Sequence, residues 1–299
     1  MEASVNALII INRKSRSGAE VDITEGVELL ESAGFVLIQA ESNSAEETAK
    51  LINRHHKNID LVIIGGGDGS INSAAATVYK HGLSLAILPL GTANDLARSL
   101  GLPMDVLEVF KIIAANKRRK VDLGYFDGHY FFNAANIGLG VQVTHELTPE
   151  IKKRWGVFSY LRAAFAAFED NQKFKATIRV DGTSYCVRSI QLAIGNGRFY
   201  GGGNVIDEKA TIDDGVLKLY SLPPQSIWEL LRAAPWLRAG KHRQLNGTFT
   251  AVGRRIEIIT VPSQEIYADG EPVSKTPAVF EIIPQALNVI YVEPAGPES

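Results

Sequence analysis

Cysteine is nearly absent: Cys186 is the one cysteine in 299 residues, which excludes an internal disulfide framework and a cysteine-rich metal centre. Six scattered histidines do not replace one, because beyond the adjacent His55-His56 no pair has the helical spacing of metal ligands. Charge of one sign is missing as well. Lys and Arg number 31 against 33 Asp and Glu, a formal net charge of −2, and no basic footprint argues for nucleic acid. Uninterrupted apolar runs of membrane-spanning length are absent, and the start, Met1-Glu-Ala-Ser-Val, lacks the basic-then-apolar pattern of a secretory leader. A soluble, cytoplasmic protein is expected, with any membrane contact peripheral. What remains is 45% hydrophobic and 21% charged, the balance of a globular chain, and its length suits two domains.

The first 127 residues alternate strand and helix. Val5–Asn12 is a continuous β-branched run, as in a strand buried on both faces of a parallel sheet. A helix ending at Gly34 follows, then a strand over Phe35–Ala40 and a helix opened by Ser44 with Glu47 three residues on, a capping box. A third strand, Ile59–Ile64, empties into Gly65-Gly66-Gly67-Asp68-Gly69-Ser70, with the next helix expected near Ile71. A fourth, Leu85–Leu88, empties into Pro89-Leu90-Gly91-Thr92-Ala93-Asn94-Asp95. Strands alternating with helices on short links predict a doubly wound α/β domain. Residues 128–282 read as an antiparallel β-sandwich domain. Asp-Gly pairs at 127, 181, 214 and 269 mark tight turns, and helical excursions are expected near 142–170 and 224–240. The end of the chain, 283–299, carries a β-rich run (Leu287–Val292) that fits either domain.

The glycine loop at 65–70 carries the strongest chemistry. Consecutive glycines after a buried strand let backbone N–H groups approach a phosphate, and the following helix offers its positive N-terminus. It is neither a P-loop nor GxGxxG. Asp68 beside polyphosphate would be repelled without an intervening cation, so it points to Mg²⁺-nucleotide, unless the glycines serve a packing turn only. The 91–95 loop lies at the equivalent strand end, where open α/β sheets bind ligands, although Asn94 or Asp95 could equally be a helix N-cap. By spacing alone, Asp214-Gly215 and Asp269-Gly270-Glu271 read as turns.

Gly66-Gly67-Asp68-Gly69 followed by Pro89 to Asp95 resembles the catalytic domain of the diacylglycerol kinase family, in particular its soluble bacterial lipid kinases. The match continues through Asn133–Gly138, Gly201-Gly202-Gly203, Asp213-Asp214-Gly215 and Asp269-Gly270-Glu271-Pro272, nearly the whole chain. The resemblance implies ATP and Mg²⁺ as cofactors and an NAD-kinase/phosphofructokinase-like nucleotide domain. Gly66, Gly67, Asp68, Gly69, Ser70 and Asn72 would bind the nucleotide, Thr92 and Asn94 would touch it, and Asp95 would lie at the centre of the site. Glu271 would be the general base, and Asp214 would hold a structural Mg²⁺ with backbone carbonyls near Thr211 and Val216. Four positions depart from the pattern: Arg13 replaces a proline, Glu41 a threonine that commonly meets nucleotide, Ser70 a threonine and Glu208 a proline.

The substrate implied is a membrane lipid, with diacylglycerol the first expectation. Lys152-Lys153-Arg154-Trp155 and Trp228, Trp236, Arg238, Lys241 and Arg243 combine aromatics with cations, as suits a lipid interface, or else pack on the sheet with a solvated cationic face. A homodimer is left open. A soluble-substrate kinase resembling NAD kinase, and a nucleotide- or lipid-binding module without catalysis, are the rival readings.

Overall fold

The computed structural model describes residues 4–138, 173–269 and 271–292. The expected 142–170 excursion, with Trp155, lies outside the described residues. The chain divides into two units, one of 1–123, 212–214 and 283–299, the other of 124–211 and 215–282.

In the first unit β1 (Val5–Asn12), β2 (Phe35–Ser42), β3 (Leu61–Gly66) and β4 (Ser84–Pro89) form a parallel sheet in the order β2-β1-β3-β4. Asn288 and Val289 of β18 (Ala278–Ile290) extend it, pairing parallel with Ser84 and Leu85. Leu61 to Gly66 and Ser84 to Pro89 are buried at every position, which explains why their sequences are unbroken apolar runs rather than alternations. Helices cover both faces. Val27 and Leu30 of α1 (Thr24–Ser32) and Val109, Phe110 and Ile113 of α5 (Val106–Ala114) pack on Ile9, Ile63 and Leu88. On the other side α2 (Ala45–His55) and α3 (Asp68–Lys80) bury Ile52, Ile71, Ala74 and Val78. Gly34, at φ +90°, ends α1 as a left-handed glycine can.

Three boundaries differ from expectation. β3 runs through Gly66 and α3 starts at Asp68, not near Ile71, so the glycine segment is half strand and half helix. The Ser44 cap accepts from the Glu47 N–H at 3.2 Å, but Glu47 reaches back to the Asn43 N–H, one residue beyond a capping box. Asp214-Gly215 is no hairpin. It lies between β12 (Asn204–Val205) and β13 (Leu217–Leu222), which pair with other strands, and Asp213 is instead ion-paired with Arg119.

The second unit is antiparallel. One sheet has the order β14-β13-β10-β7-β16-β17, from β14 (Phe249–Gly253), β10 (Gln191–Gly195), β7 (Ala134–Gly138), β16 (Glu265–Ala268) and β17 (Glu271–Lys275). The facing layer joins residues 278–281 of β18 to β15 (Arg255–Val261), β8 (Phe174–Val180) and β9 (Thr183–Ser189). β8 alternates strictly: Phe174, Ala176, Ile178 and Val180 face inward, with exposed residues between them. They meet Ile137, Leu192, Leu219 and Phe280 in one core, the arrangement of a sandwich. Asp127-Gly128 and Asp181-Gly182 both have positive φ, as two-residue hairpins between right-twisted strands require.

Candidate functional site

Three loops converge at the carboxyl ends of β1, β3 and β4. The chain reverses its direction of winding across β1 and β3, with β2 on one side and β4 on the other, which is where open α/β sheets form a ligand crevice. Asn12, at the end of β1, donates from Nδ2 to the Ser70 hydroxyl at 2.7 Å. The Ser17 N–H donates to the Leu90 carbonyl, and the Leu90 N–H to the Gly66 carbonyl.

Glycine at 91 is a steric requirement. A Cβ on Gly91 would lie 2.4 Å from the Gly67 Cα, so the loops after β3 and β4 touch backbone to backbone. Asp68 ties them further: its Oδ1 accepts the Leu96 N–H at 3.1 Å, in the first turn of α4 (Asp95–Ser99). Asn94 occupies the N-cap position of α4 in the left-handed region (φ 51°), yet it caps nothing. Its Oδ1 accepts from the Gly91 N–H, and its Nδ2 donates to the Pro89 and Gly91 carbonyls. Both ends of this amide are therefore engaged in shaping the loop. Asp95 is buried beside it, whereas Thr92 is exposed.

The N-terminus of α3 is built to meet an anion. The backbone N–H groups of its first turn, at Asp68, Gly69 and Ser70, have no partner within the helix, and Gly67 at the N-cap offers no side-chain acceptor. One turn on, Asn72 Oδ1 is buried without a hydrogen-bond partner. Such an atom is costly unless something binds it. The donors at these loops are oxygens from Asp68, Asp95 and Asn72, the chemistry that a hard divalent cation such as Mg²⁺ takes when phosphates complete its shell. Among the described residues no three His, Cys, Asp or Glu cluster as a metal site of their own.

Of the departures from the family pattern, two meet each other. Arg13 Nε and a second guanidinium nitrogen lie 2.9 and 2.8 Å from Glu41 Oε1, across the adjacent ends of β1 and β2. The pair is half exposed, so its contribution to stability is small.

In the second unit Glu271 is the first residue of β17, opposite Ala268. The turn before it is held by Asp269, whose carboxylate accepts the Phe132, Asn133 and Ala134 N–H groups at 3.0, 3.2 and 3.0 Å. The Asp269 N–H donates in turn to the Ala134 carbonyl. Reading Asp269 only as a turn residue missed this clamp. Its signal was the Asn133–Gly138 motif, whose approach to β7 is the segment clamped. Thr211 and Asp214 are exposed and Val216 is half-buried, along the bend that ends at Gly215 (φ +72°).

α6 (Ile227–Arg238) opens with a complete capping box between Ser226 and Glu229. Leu230 and Leu237 pack inward against Tyr220 and Leu222. Trp228 and Trp236 stay 66% and 43% exposed, with Arg232 midway between them, so the outer face is aromatic and cationic. No helix among the described residues is long and apolar enough to cross a membrane.

Comparison with known proteins agrees with this architecture. Residues 6–126 match the diacylglycerol kinase catalytic domain, and residues 135–291 match the YegS C-terminal NAD kinase beta sandwich-like domain. The chain is a phosphotransferase acting on a hydroxyl group, of the lipid kinase class. It belongs to the diacylglycerol kinase catalytic-domain family, in its bacterial YegS-like branch. A Klebsiella pneumoniae protein named "Probable lipid kinase YegS-like" is 30% identical over 94% of each chain. One of the same name from Pseudomonas syringae pv. tomato is 31% identical over 95% of this chain and 92% of its own. A crystal structure from Bacillus anthracis strain Sterne, described as a candidate diacylglycerol kinase, superposes with a TM-score of 0.81. It is 26% identical and covers 96% of this chain and 95% of its own.

Proposed function

We propose that this lipid kinase transfers the terminal phosphoryl group of Mg²⁺-ATP to a lipid hydroxyl, with diacylglycerol as the first acceptor. The observation that carries the reading is the pair of glycine loops in backbone contact at adjacent strand ends, beside the uncapped start of α3. Phosphoryl transfer needs positioned anions and charge neutralisation more than covalent chemistry. The first-turn N–H groups of α3 would hold phosphate oxygens, with Thr92 at the loop surface contacting nucleotide. Mg²⁺, when bound with the nucleotide, would neutralise charge developing on the phosphates, and Asp68, Asp95 and Asn72 are its candidate oxygen donors. Glu271 would take the proton of the acceptor hydroxyl as the new P–O bond forms and the bond to ADP breaks. Asp214, with carbonyls near Thr211 and Val216, would hold a second, structural Mg²⁺.

The exposed tryptophans of α6 favour an acceptor at a bilayer surface over a soluble one, and with it a cytoplasmic enzyme that binds membrane peripherally. The test is to incubate the protein with γ-labelled ATP, Mg²⁺ and fractionated lipids. A labelled lipid phosphate monoester is expected, and its absence from every fraction would contradict the reading.

A further inference from the structure

Away from the loops that carry the kinase chemistry, the second unit contains a cavity of about 260 Å³ beneath the end of α6. It is smaller than the roughly 300–1,000 Å³ clefts that enclose drug-sized ligands, and of a size for a headgroup or small anion. Its lining holds four Lys or Arg side chains, Lys209, Lys218, Lys241 and Arg243, against two carboxylates, Asp207 and Glu208. Asp207 already accepts the Lys209 N–H at 2.8 Å. Lys218 is only 7% exposed, near the start of β13 opposite Gly195 and Val252, with its Nζ donating to the Val216 carbonyl at 3.5 Å. A cation held where water is partly excluded attracts an anion more strongly than the same charge on an open surface.

The wall is rigid. His242 stacks on buried Tyr220 with ring centroids 4.0 Å apart, and its Nε2 lies 3.0 Å from the Val205 carbonyl. Burial lowers the pKa of this histidine, so it stays neutral and leaves the positive charge to the lysines and arginine. The cavity is also joined to the aromatic face. The Lys241 N–H donates to the Trp236 carbonyl at 2.9 Å, which fixes the cationic segment directly after the exposed tryptophan.

We propose that this cavity is a phosphate-binding site, separate from the nucleotide loops, through which the enzyme recognises either the phosphate of an anionic phospholipid or free phosphate. In the first case the site would read membrane charge while α6 supplies the apolar contact. In the second it would sense a small anion in solution. The membrane source rests on the kinase reading given above, but the phosphate arm does not: a protein that binds phosphate here and transfers no phosphoryl group would refute only the kinase.

The experiment uses the full chain, the variant Lys241→Gln/Arg243→Gln and a control, Lys57→Gln/Lys80→Gln, that removes two exposed cations from the other unit. All four side chains are exposed, so folding should be unchanged and thermal unfolding verifies it. Calorimetry with inorganic phosphate should show saturable binding to wild type and control, weakened about tenfold or more in the cavity variant. Flotation with phosphatidylcholine vesicles, with and without phosphatidylglycerol, identifies the source. Loss of the phosphatidylglycerol-dependent fraction in the cavity variant assigns it to the lipid headgroup. Weakened phosphate binding with unchanged flotation assigns it to free phosphate. If the cavity variant and the control match wild type in both assays, there is no such site.

Discussion

Asp68 does two things at once in this structure. Its carboxylate lies in the first turn of α3, where a bound polyphosphate would meet it, and it also accepts the Leu96 N–H that ties two loops together. Asp68→Ala should abolish phosphoryl transfer, and because the bond it loses is one part-buried contact, unfolding should shift by only about 1 kcal/mol. Wild-type-like turnover would remove Asp68 from the mechanism. Asp269 works differently, since it touches three backbone N–H groups and carries the turn before Glu271. Asp269→Ala leaves those donors without an acceptor and should cost roughly 1–3 kcal/mol in denaturant unfolding, with kcat falling although Glu271 is intact. Unchanged stability would show that the clamp is dispensable. Glu271→Gln keeps the size and one acceptor oxygen but takes no proton, so it should bind ATP normally and lose ~10²–10⁴ in kcat. A loss under about tenfold, with chemistry rate-limiting, would assign the base elsewhere.

Among the described elements, α6 is the one whose sequence and burial disagree most with a purely structural role. Its inner residues Leu230 and Leu237 pack on the sheet, yet two tryptophans are left outward. Trp228→Ala/Trp236→Ala should weaken flotation with anionic vesicles while leaving turnover on a micelle-dispersed short-chain acceptor within about twofold, because neither tryptophan is among the residues assigned to phosphoryl transfer. Unaltered flotation would place membrane contact elsewhere. The same contrast marks how far the sequence could be read. β1 and the helix closed by Gly34 were legible because burial on both faces leaves an apolar run and a positive φ demands glycine. The start of α3 was not, since three glycines read as loop whether they continue a strand or cap a helix. Asp214-Gly215 misled for the reverse reason: its residues suit a hairpin, but Arg119 draws Asp213 into an ion pair within the other unit. For the site, motif residues fixed which loops matter, whereas the Asp269 clamp depends on contacts between segments far apart in sequence.

At the scale of the whole molecule, an α/β nucleotide unit and a β-sandwich unit share one chain that crosses between them several times, at residues 123, 211, 214 and 282. A cation held near Asp214 would sit on one of those crossings and should act on global stability. Mg²⁺ without nucleotide should raise Tm, and Asp214→Asn should erase the gain; equal shifts in both proteins would put the ion elsewhere. The central claim is narrower than stability: this scaffold phosphorylates a lipid rather than the soluble acceptor that its NAD-kinase-like sandwich would also allow. The direct measurement offers both at once, diacylglycerol in mixed micelles and NAD in the surrounding buffer, with γ-labelled ATP and Mg²⁺, followed by partition into organic and aqueous phases. The account predicts label in an organic-phase phosphate monoester and none in phosphorylated NAD. Label transferred to NAD, with the lipid phase empty, would contradict it.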